Sequence, residues 1–260
     1  MPKLAANLTM MFNEVEFLDR FDAAARSGFR AVEFALPYDF EKDAIAERLE
    51  INGLTVALHN LPAGDWAAGE RGIATDPGRV GEFQEGVGLA VEYAKVLGCE
   101  KINCLSGIPP QGADADELRE TLVANLRFAA SKLGEAGIRL LVEPINTRDI
   151  PGFYLNYSDQ ALSIIEEVGS DNLWLQYDVY HMQIMEGDLI PTMEANLGSI
   201  GHIQIADTPG RHEPGTGEIN YPNVFSAIDE MGYDGWIGCE YIPLATTEEG
   251  LGWADAYLGR

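Results

Sequence analysis

Four side chains that carry oxygen atoms interrupt apolar stretches in the second half of the sequence. They are Glu143 in LLVEP, Asp178 in LQYDVYH, Gln204 in GHIQIAD and Glu240 in GCEY. A carboxylate in a buried apolar run is costly unless it is paired or bound to a cation. Three carboxylates and an amide, without a thiolate, suit Mg²⁺ or Mn²⁺. The pattern predicts a divalent metal site; the alternative is that each residue separately caps a strand or bonds to a loop amide.

The segments that must position these residues follow one repeated pattern, in which short β-branched apolar runs alternate with longer stretches of helical periodicity. The predicted strands are Leu4–Leu8, Ala31–Ala35, Thr55–Leu58, Lys101–Leu105, Arg139–Glu143, Leu173–Asp178, Ile200–Ala206 and Trp236–Tyr241. The predicted helices are Glu14–Ser27, Phe40–Ile51, Arg79–Leu97, Asp116–Glu135, Ala161–Val168 with Ser158 as its N-cap, Asp188–Leu197, Tyr221–Met231 and Glu248–Leu258.

Strict alternation of eight strands with eight helices predicts a parallel sheet closed into a (β/α)8 TIM barrel, the usual architecture for about 250 residues of this pattern. No linker or break in composition divides the chain, so residues 1–260 are expected to form a single domain. A doubly wound open sheet is the alternative, but Thr9–Asn13 lacks the glycine fingerprint of a dinucleotide site. Active sites of barrels lie at the C-terminal ends of the strands, where the four oxygen-bearing residues fall.

Four further residues are candidates for binding a substrate. His59 ends the third predicted strand, and His181 follows Asp178 by three residues. Arg71 and Arg211 lie in the long segments HNLPAGDWAAGERGIATDPGR and TPGRHEPGTGEIN. In a chain poor in cations, arginines in such loops are candidate anchors for a substrate carboxylate. Each arginine would otherwise brace its own loop through a neighbouring glutamate.

Composition excludes several classes of function. The 260 residues include 17 Lys and Arg against 42 Asp and Glu, a formal net charge of −25. Such a surface repels phosphate backbones and anionic lipid, so neither nucleic acid nor membrane is an expected partner. No apolar run reaches the roughly 20 residues that span a bilayer. Three cysteines without CxxC spacing, and a poor match to a signal peptide, favour the cytoplasm. A small-molecule substrate is expected, and a homo-oligomer is compatible with the sequence.

The sequence resembles the hydroxypyruvate isomerase family, a branch of the xylose isomerase-like barrels. The resemblance rests on LHNLPAGDWAAGERGIA, VEPIN, QYDVYHMQ, GHIQIAD, EPGTGEINY and GCEY, and it extends over nearly the whole chain. It implies that Glu143, Asp178, Gln204 and Glu240 hold a divalent ion. It also implies that Glu143 and Glu240 are catalytic and shuttle a proton.

The implied reaction is the metal-dependent interconversion of hydroxypyruvate and 2-hydroxy-3-oxopropanoate (tartronate semialdehyde) through an enediolate. Isomerases of 2-oxotetronates, one carbon longer, belong to the same family and remain an alternative substrate class. Related sugar epimerases usually carry His where this chain has Gln204, and endonuclease IV-type enzymes use a zinc cluster richer in histidine. A barrel that binds a small acid without turnover is the remaining alternative.

Overall fold

The computed structural model describes residues 1–259, and its eight strands form a closed parallel barrel in sequence order. Strand β8 pairs with β1 and so completes the ring. The strands are β1 (Lys3–Asn7), β2 (Ala31–Phe34), β3 (Thr55–Asn60), β4 (Lys101–Cys104), β5 (Arg139–Val142), β6 (Leu173–Asp178), β7 (Ile200–Ile205) and β8 (Trp236–Cys239). The TIM-barrel prediction is confirmed, and every predicted strand is present within one or two residues at each end.

Helices surround the barrel between successive strands. They are α1 (Phe17–Arg26), α2 (Lys42–Asn52), α3 (Val80–Leu97), α4 (Ala115–Glu135), α5 (Ser158–Val168), α6 (Val179–Met185), α7 (Leu189–Asn196), α8 (Tyr221–Glu230) and α9 (Asp255–Leu258). Within residues 1–259, no helix is long and apolar enough to cross a membrane.

The structure corrects three details of the predicted helices. Helix α6 was not predicted, and the last predicted helix is a 3-10 segment, Glu249–Ala254, that continues into α9. Ser158 is the first residue of α5 and not its N-cap. Its amide donates to Glu186 Oε1 at 2.5 Å while its hydroxyl contacts the Met182 sulfur, so the side chain does not cap the helix.

The inside of the barrel changes character along the strands. Near the N-terminal ends it contains Ala5, Ala31 and Ala57, which pack with Trp236. Two residues further along β1 and β2, alternation places Asn7 and Glu33 in the same interior, and both are buried. On the side of the barrel formed by β1, β2 and β3, small apolar side chains therefore lie nearer one end and polar side chains nearer the end where the active site is expected.

The register of the barrel shifts at two places beside this polar layer. One shift lies between Val32 and Glu33, where β2 pairs with β3, and the other between Leu175 and Gln176, where β6 pairs with β7. Irregularities of this kind re-aim the side chains that follow them.

The long segment between β3 and α3 is fixed to the barrel by a close approach of two backbones. Gly72 has a φ of +113°, and a Cβ atom there would lie 2.3 Å from the carbonyl oxygen of Leu105 after β4. Its amide donates to the Ala63 carbonyl oxygen at 2.9 Å, which closes the segment on itself. Only glycine meets both conditions, the positive φ and the missing Cβ.

We therefore expect Gly72→Ala to loosen this segment more than Gly69→Ala. Both glycines have positive φ, so either alanine adds about 1–3 kcal/mol of backbone strain. Gly69 has nothing within 4 Å of the added atom, whereas Gly72 meets the Leu105 backbone, and such overpacking adds about 1–3 kcal/mol. Urea unfolding and limited trypsin digestion measure the difference; equal stability and digestion rates for the two variants would contradict the close approach.

Candidate active site

The strand-end carboxylates converge at the C-terminal end of the barrel. Glu143 and Glu240 directly follow β5 and β8, and Asp178 is the last residue of β6. One ligand atom from each of these residues and one nitrogen of His181 lie within 4.8 Å of one another. The fold thus brings together four side chains that could hold a metal ion; His181, expected only to bind substrate, lies within the cluster.

Two asparagines position the two glutamates. Asn103, in β4, donates from Nδ2 to Glu143 Oε2 at 2.8 Å. Asn7, at the end of β1, donates from Nδ2 to Glu240 Oε1 at 3.1 Å. Each glutamate is therefore held by an amide on a neighbouring strand. Sequence reasoning missed both asparagines, although each is a polar residue within an apolar strand.

Asp178 is the least exposed of these carboxylates, and one of its oxygens makes no hydrogen bond within the described residues. Its Oδ1 accepts from the Tyr180 amide at 2.8 Å at the start of α6. Its Oδ2 is buried and makes no hydrogen bond within the described residues. A buried, unsatisfied carboxylate oxygen is unfavourable, and a cation would relieve it. The donor set and this orphaned oxygen fit a divalent ion.

His181 is oriented by Asn146, which lies after β5. Asn146 Oδ1 accepts from the amides of Arg148 and Asp149, so its Nδ2 is left to donate to His181 Nδ1 at 2.6 Å. The other ring nitrogen, Nε2, lies 3.4 Å from Asp178 Oδ2. Because Nδ1 accepts, Nε2 carries the proton of the neutral ring and points it into the site.

Arg211 is the principal cation among these carboxylates. Its Nη2 donates to Glu240 Oε2 and lies 3.7 Å from Asp178 Oδ2. Its Nη1 lies 3.7 Å from Asp149 Oδ2, and the residue has a φ of 58°. Loop bracing through neighbouring Glu213 is therefore wrong, because the guanidinium pairs with strand-end carboxylates instead. The positive charge already has acidic partners before a substrate arrives.

Burial and like charge shift the pKa values of the cluster. Burial raises the pKa of Glu240 to about 8 and that of Asp178 to about 6, although Arg211 acts in the opposite direction on both. Burial and then the charges of Glu240 and Asp178 raise the pKa of Glu143 well above its usual value. Burial and the nearby Arg211 hold the pKa of His181 well below its usual value, which keeps its ring neutral. The cluster thus resists carrying its full negative charge without a cation.

A cavity of about 490 Å³ opens above the cluster. Its wall includes Trp66 and Arg71 from the segment after β3, and Arg148 from the loop after β5. The Arg71 guanidinium carbon lies 3.9 Å from the Trp66 ring centroid, and its Nη1 donates to two carbonyl oxygens. Arg71 thus braces its own loop through the carbonyl oxygens of Trp66 and Glu70. The expected ion pair with the Glu70 carboxylate is wrong, because that carboxylate pairs with Arg79. Within residues 1–259, neither Arg71 nor Arg148 forms an ion pair with a carboxylate.

Gln204 lies beside Asp178 in the register of β7 against β6. Its Nε2 donates to Glu33 Oε1 at 2.7 Å, and its Oε1 accepts from Gln176 Nε2 at 2.5 Å. A carbonyl oxygen has two lone pairs, so Oε1 retains one acceptor position. Ligation of a metal by Gln204 stays a prediction.

The structure does not bring His59 into the cavity. Phe34 and His59 are paired in the shifted register between β2 and β3, and their rings stack at 6.4 Å in the layer beneath the helices. The ring is fully buried, its Nδ1 lies 3.1 Å from the Asn60 carbonyl oxygen, and burial lowers its pKa to about 4. His59 was expected to contact substrate because it lies at the end of the third strand, but the register shift pairs it with Phe34 and turns its ring away from the barrel interior.

Comparison with known proteins bears on this arrangement. Residues 21–257 match the family model described as the xylose isomerase-like TIM barrel. The chain belongs to this family. It is 55% identical to the hydroxypyruvate isomerase of Escherichia coli, across 99% of this chain and 100% of that protein. It is 53% identical to the 2-oxo-tetronate isomerase of Cupriavidus necator, across the whole of both chains.

A solved structure from Brucella melitensis, described as a family 2 AP endonuclease, is 49% identical and superposes with a TM-score of 0.97 across 99% of both chains. The two isomerase relatives, at 53% and 55% identity over nearly the full chain, confirm the resemblance to the hydroxypyruvate isomerase family. The protein is therefore an enzyme of the isomerase class.

The raised pKa of Glu240 predicts how the stability of the metal-free protein depends on pH. Between its ordinary value near 4.5 and about 8, the folded state binds a proton that the unfolded state releases. The free energy of unfolding should therefore fall as pH rises through this window, by up to about 1.4 kcal/mol per pH unit. Urea unfolding in a chelator should show a shallower pH dependence for Glu240→Gln than for the wild type. Parallel curves would contradict the shift.

Proposed function

We propose that the protein is a divalent-metal-dependent isomerase that moves a proton between C3 and C2 of a small 2-oxo acid bearing a C3 hydroxyl. Hydroxypyruvate, which gives 2-hydroxy-3-oxopropanoate, is the first candidate substrate, and the E. coli relative carries that name. A 2-oxotetronate is the second, supported by the C. necator relative that matches over the full length of both chains. The transfer is the same for both acids.

The proposal is carried by one observation: carboxylate oxygens of Glu143 and Glu240 lie within 4.8 Å of Asp178, and Asp178 has an oxygen that makes no hydrogen bond within the described residues. The two glutamates come from β5 and β8, and each is held by an asparagine. Burial raises the pKa values of both glutamates in the metal-free site, and a bound divalent cation would act in the opposite direction and favour the carboxylate form that accepts a proton.

Glu143, Asp178, Glu240 and, by expectation, Gln204 would hold an Mg²⁺ or Mn²⁺ ion. When bound, such an ion polarises the substrate carbonyl and stabilises negative charge on the enediolate oxygens. His181 offers its Nε2 proton at the same place, so it is suited to donate a hydrogen bond to a substrate oxygen.

The two glutamates divide the proton transfer. One carboxylate would remove the C3 proton, and the carboxylic acid of the other glutamate would deliver a proton to C2. The C3 hydroxyl gives up its proton as the C3 carbonyl forms, and the former C2 carbonyl oxygen takes a proton up, so the isomerisation has no net change in oxidation state. Positioned acid and base groups contribute on the order of 10²–10⁴-fold to rate. Isomerisation also needs water kept from the intermediate, and the burial of Glu143, Asp178 and His181 serves that requirement.

We assign the binding of the substrate carboxylate to Arg71 and Arg148, the two arginines at the rim of the cavity. Arg211 is engaged by Glu240 and Asp178, whereas Arg71 and Arg148 lack carboxylate partners within the described residues. In a chain with 17 cationic and 42 anionic residues, unpaired arginines at the mouth of a cavity favour an anionic ligand. The same net charge of −25 argues against a nucleic-acid substrate, despite the description of the Brucella structure.

Proton NMR in D₂O tests the function. With Mg²⁺ or Mn²⁺, we expect the protein to convert hydroxypyruvate or a 2-oxotetronate with incorporation of solvent deuterium, and we expect EDTA to abolish conversion. Glu240→Gln should reduce kcat by at least about 10²-fold, because an amide cannot return a proton. Conversion by protein shown metal-free by elemental analysis would contradict metal dependence. Failure to convert either acid would contradict the proposed function.

The rim assignment predicts that Arg71→Ala raises KM. Loss of a hydrogen bond to a charged partner costs about 1.5–3 kcal/mol, or about tenfold or more in KM, while kcat should change little. Arg148→Ala should behave in the same way. Arg119→Ala is the matched control, since Arg119 pairs with Glu167 on the outer helices. Wild-type KM in both rim variants would show that the carboxylate binds elsewhere.

A further inference from the structure

A fourth carboxylate, Glu33, lies inside the barrel next to the site, and the proposed proton transfer does not use it. Glu33 is fully buried in β2. Its Oε1 accepts from Asn7 Nδ2 at 2.9 Å and from Gln204 Nε2 at 2.7 Å. Its Oε2 lies 2.7 Å from His202 Nε2. Donors from β1 and β7 thus converge on this one side chain.

The barrel leaves space for this carboxylate. Gly238, in β8, pairs in register with Gln204, and a Cβ atom there would lie 2.3 Å from both carboxylate oxygens of Glu33. Gly238 has no positive φ that would itself require glycine. The missing side chain therefore accommodates Glu33.

Glu33 determines which end of the Gln204 amide faces it. A carboxylate only accepts hydrogen bonds, so the NH₂ group of Gln204 must point toward Glu33 and the carbonyl oxygen must point away. That oxygen accepts from Gln176 and retains one lone pair. Without Glu33, only the contact with Gln176 would hold this orientation. Because Gln176 Oε1 makes no hydrogen bond within the described residues, the two amides could turn together and Gln204 would present its NH₂ group to a cation.

Glu33 also acts on Glu240 through Asn7. The two hydrogens of Asn7 Nδ2 are shared between Glu33 Oε1 at 2.9 Å and Glu240 Oε1 at 3.1 Å. The Asn7 side-chain oxygen accepts from the Thr9 amide at 3.0 Å, which fixes the orientation of the amide. Glu33 and Asn7 together therefore hold Glu240 at the end of β8.

We propose that Glu33 is a positioning residue that aims the Gln204 carbonyl oxygen and the Glu240 carboxylate for metal binding. It touches neither substrate nor metal, and it acts through hydrogen-bond geometry rather than through its charge. The inference rests on the proposed function for its consequence in catalysis. Its consequence for metal binding is measurable without a substrate. Partners behind the ligands of metal sites typically affect affinity or activity by 10–100-fold.

Three variants test the inference through the Mn²⁺ dissociation constant, measured by isothermal titration calorimetry without substrate. Glu33→Ala removes both acceptors, and we expect affinity to fall by about 10–100-fold. Gly238→Ala keeps the charge but displaces the carboxylate, so a loss of similar size is expected. Glu33→Gln should stay within about threefold of wild type, because its carbonyl oxygen can accept from Asn7 and Gln204. Its NH₂ group would then face His202, whose Nδ1 has no partner among the described residues, leaving the tautomer free to change.

Two control variants match these changes outside the site. Glu213→Ala removes another buried glutamate, which accepts from the Leu244 amide at 3.1 Å. Gly198→Ala adds a methyl group where nothing lies within 4 Å. Both should bind Mn²⁺ as the wild type does. Thermal unfolding of all variants identifies any that fail to fold. If Glu33→Ala does not fold, the Mn²⁺ affinities of Gly238→Ala and Glu33→Gln still test the inference.

Several outcomes would overturn the inference. Wild-type Mn²⁺ affinity in folded Glu33→Ala or Gly238→Ala would show that Glu33 positions nothing. An equal loss of Mn²⁺ affinity in Glu33→Gln and Glu33→Ala would show that the charge of Glu33, and not its hydrogen-bond geometry, is responsible. A wild-type protein that binds no Mn²⁺ would also overturn the inference, because there would be no metal site for Glu33 to position. For catalysis, Glu33→Ala should lower kcat with KM nearly unchanged. Failure of the proposed function is a separate result: the wild type would bind Mn²⁺ and isomerise neither acid, while the comparison of Mn²⁺ affinities would still decide the role of Glu33.

Discussion

Mutual repulsion of buried carboxylates is the constraint on which the rest of this site depends. One carboxylate oxygen from each of Glu143, Asp178 and Glu240 lies within 4.8 Å of the others, and one Asp178 oxygen makes no hydrogen bond in the described part of the chain. Burial alone would favour their neutral forms, and proximity adds to that effect. Arg211 offsets part of the charge, and a divalent ion would offset more. Binding of a cation would relieve this repulsion, which is the physical reason to propose that the cluster holds one.

A second layer of side chains makes such a cluster compatible with a folded barrel. Amides on neighbouring strands, Asn7 and Asn103, hold the two glutamates, and Asn146 holds His181. None of these partners is itself charged, so they orient the site without neutralising it. Glu240 differs in that it also pairs with Arg211, whose positive charge acts to lower the Glu240 pKa while burial raises it.

Sequence reasoning recovered the parts of the structure that depend on local pattern. The eight strands, the barrel and the convergence of Glu143, Asp178 and Glu240 follow from alternation and from polar residues at strand ends. His59 was misplaced because a register shift between Val32 and Glu33 is not visible in a periodicity of two. Glu33 was missed although AVEFA carries the same signal as LLVEP, a carboxylate within an apolar run.

Relatives that share this fold are named for two different substrates, hydroxypyruvate and 2-oxo-tetronate. The distance between the carboxylate cluster and the arginines of the rim offers a physical reason why one site could accept either acid. The proposed transfer involves only C2 and C3, which would lie at the cluster, and the same atoms exist in both acids. The carboxylate is attached to C2 in either case, so Arg71 and Arg148 would reach it at the same distance. The additional carbon of a 2-oxotetronate extends from C3 on the opposite side. Discrimination between the two acids must therefore come from the cavity wall facing C3 and not from the residues that carry out the proton transfer.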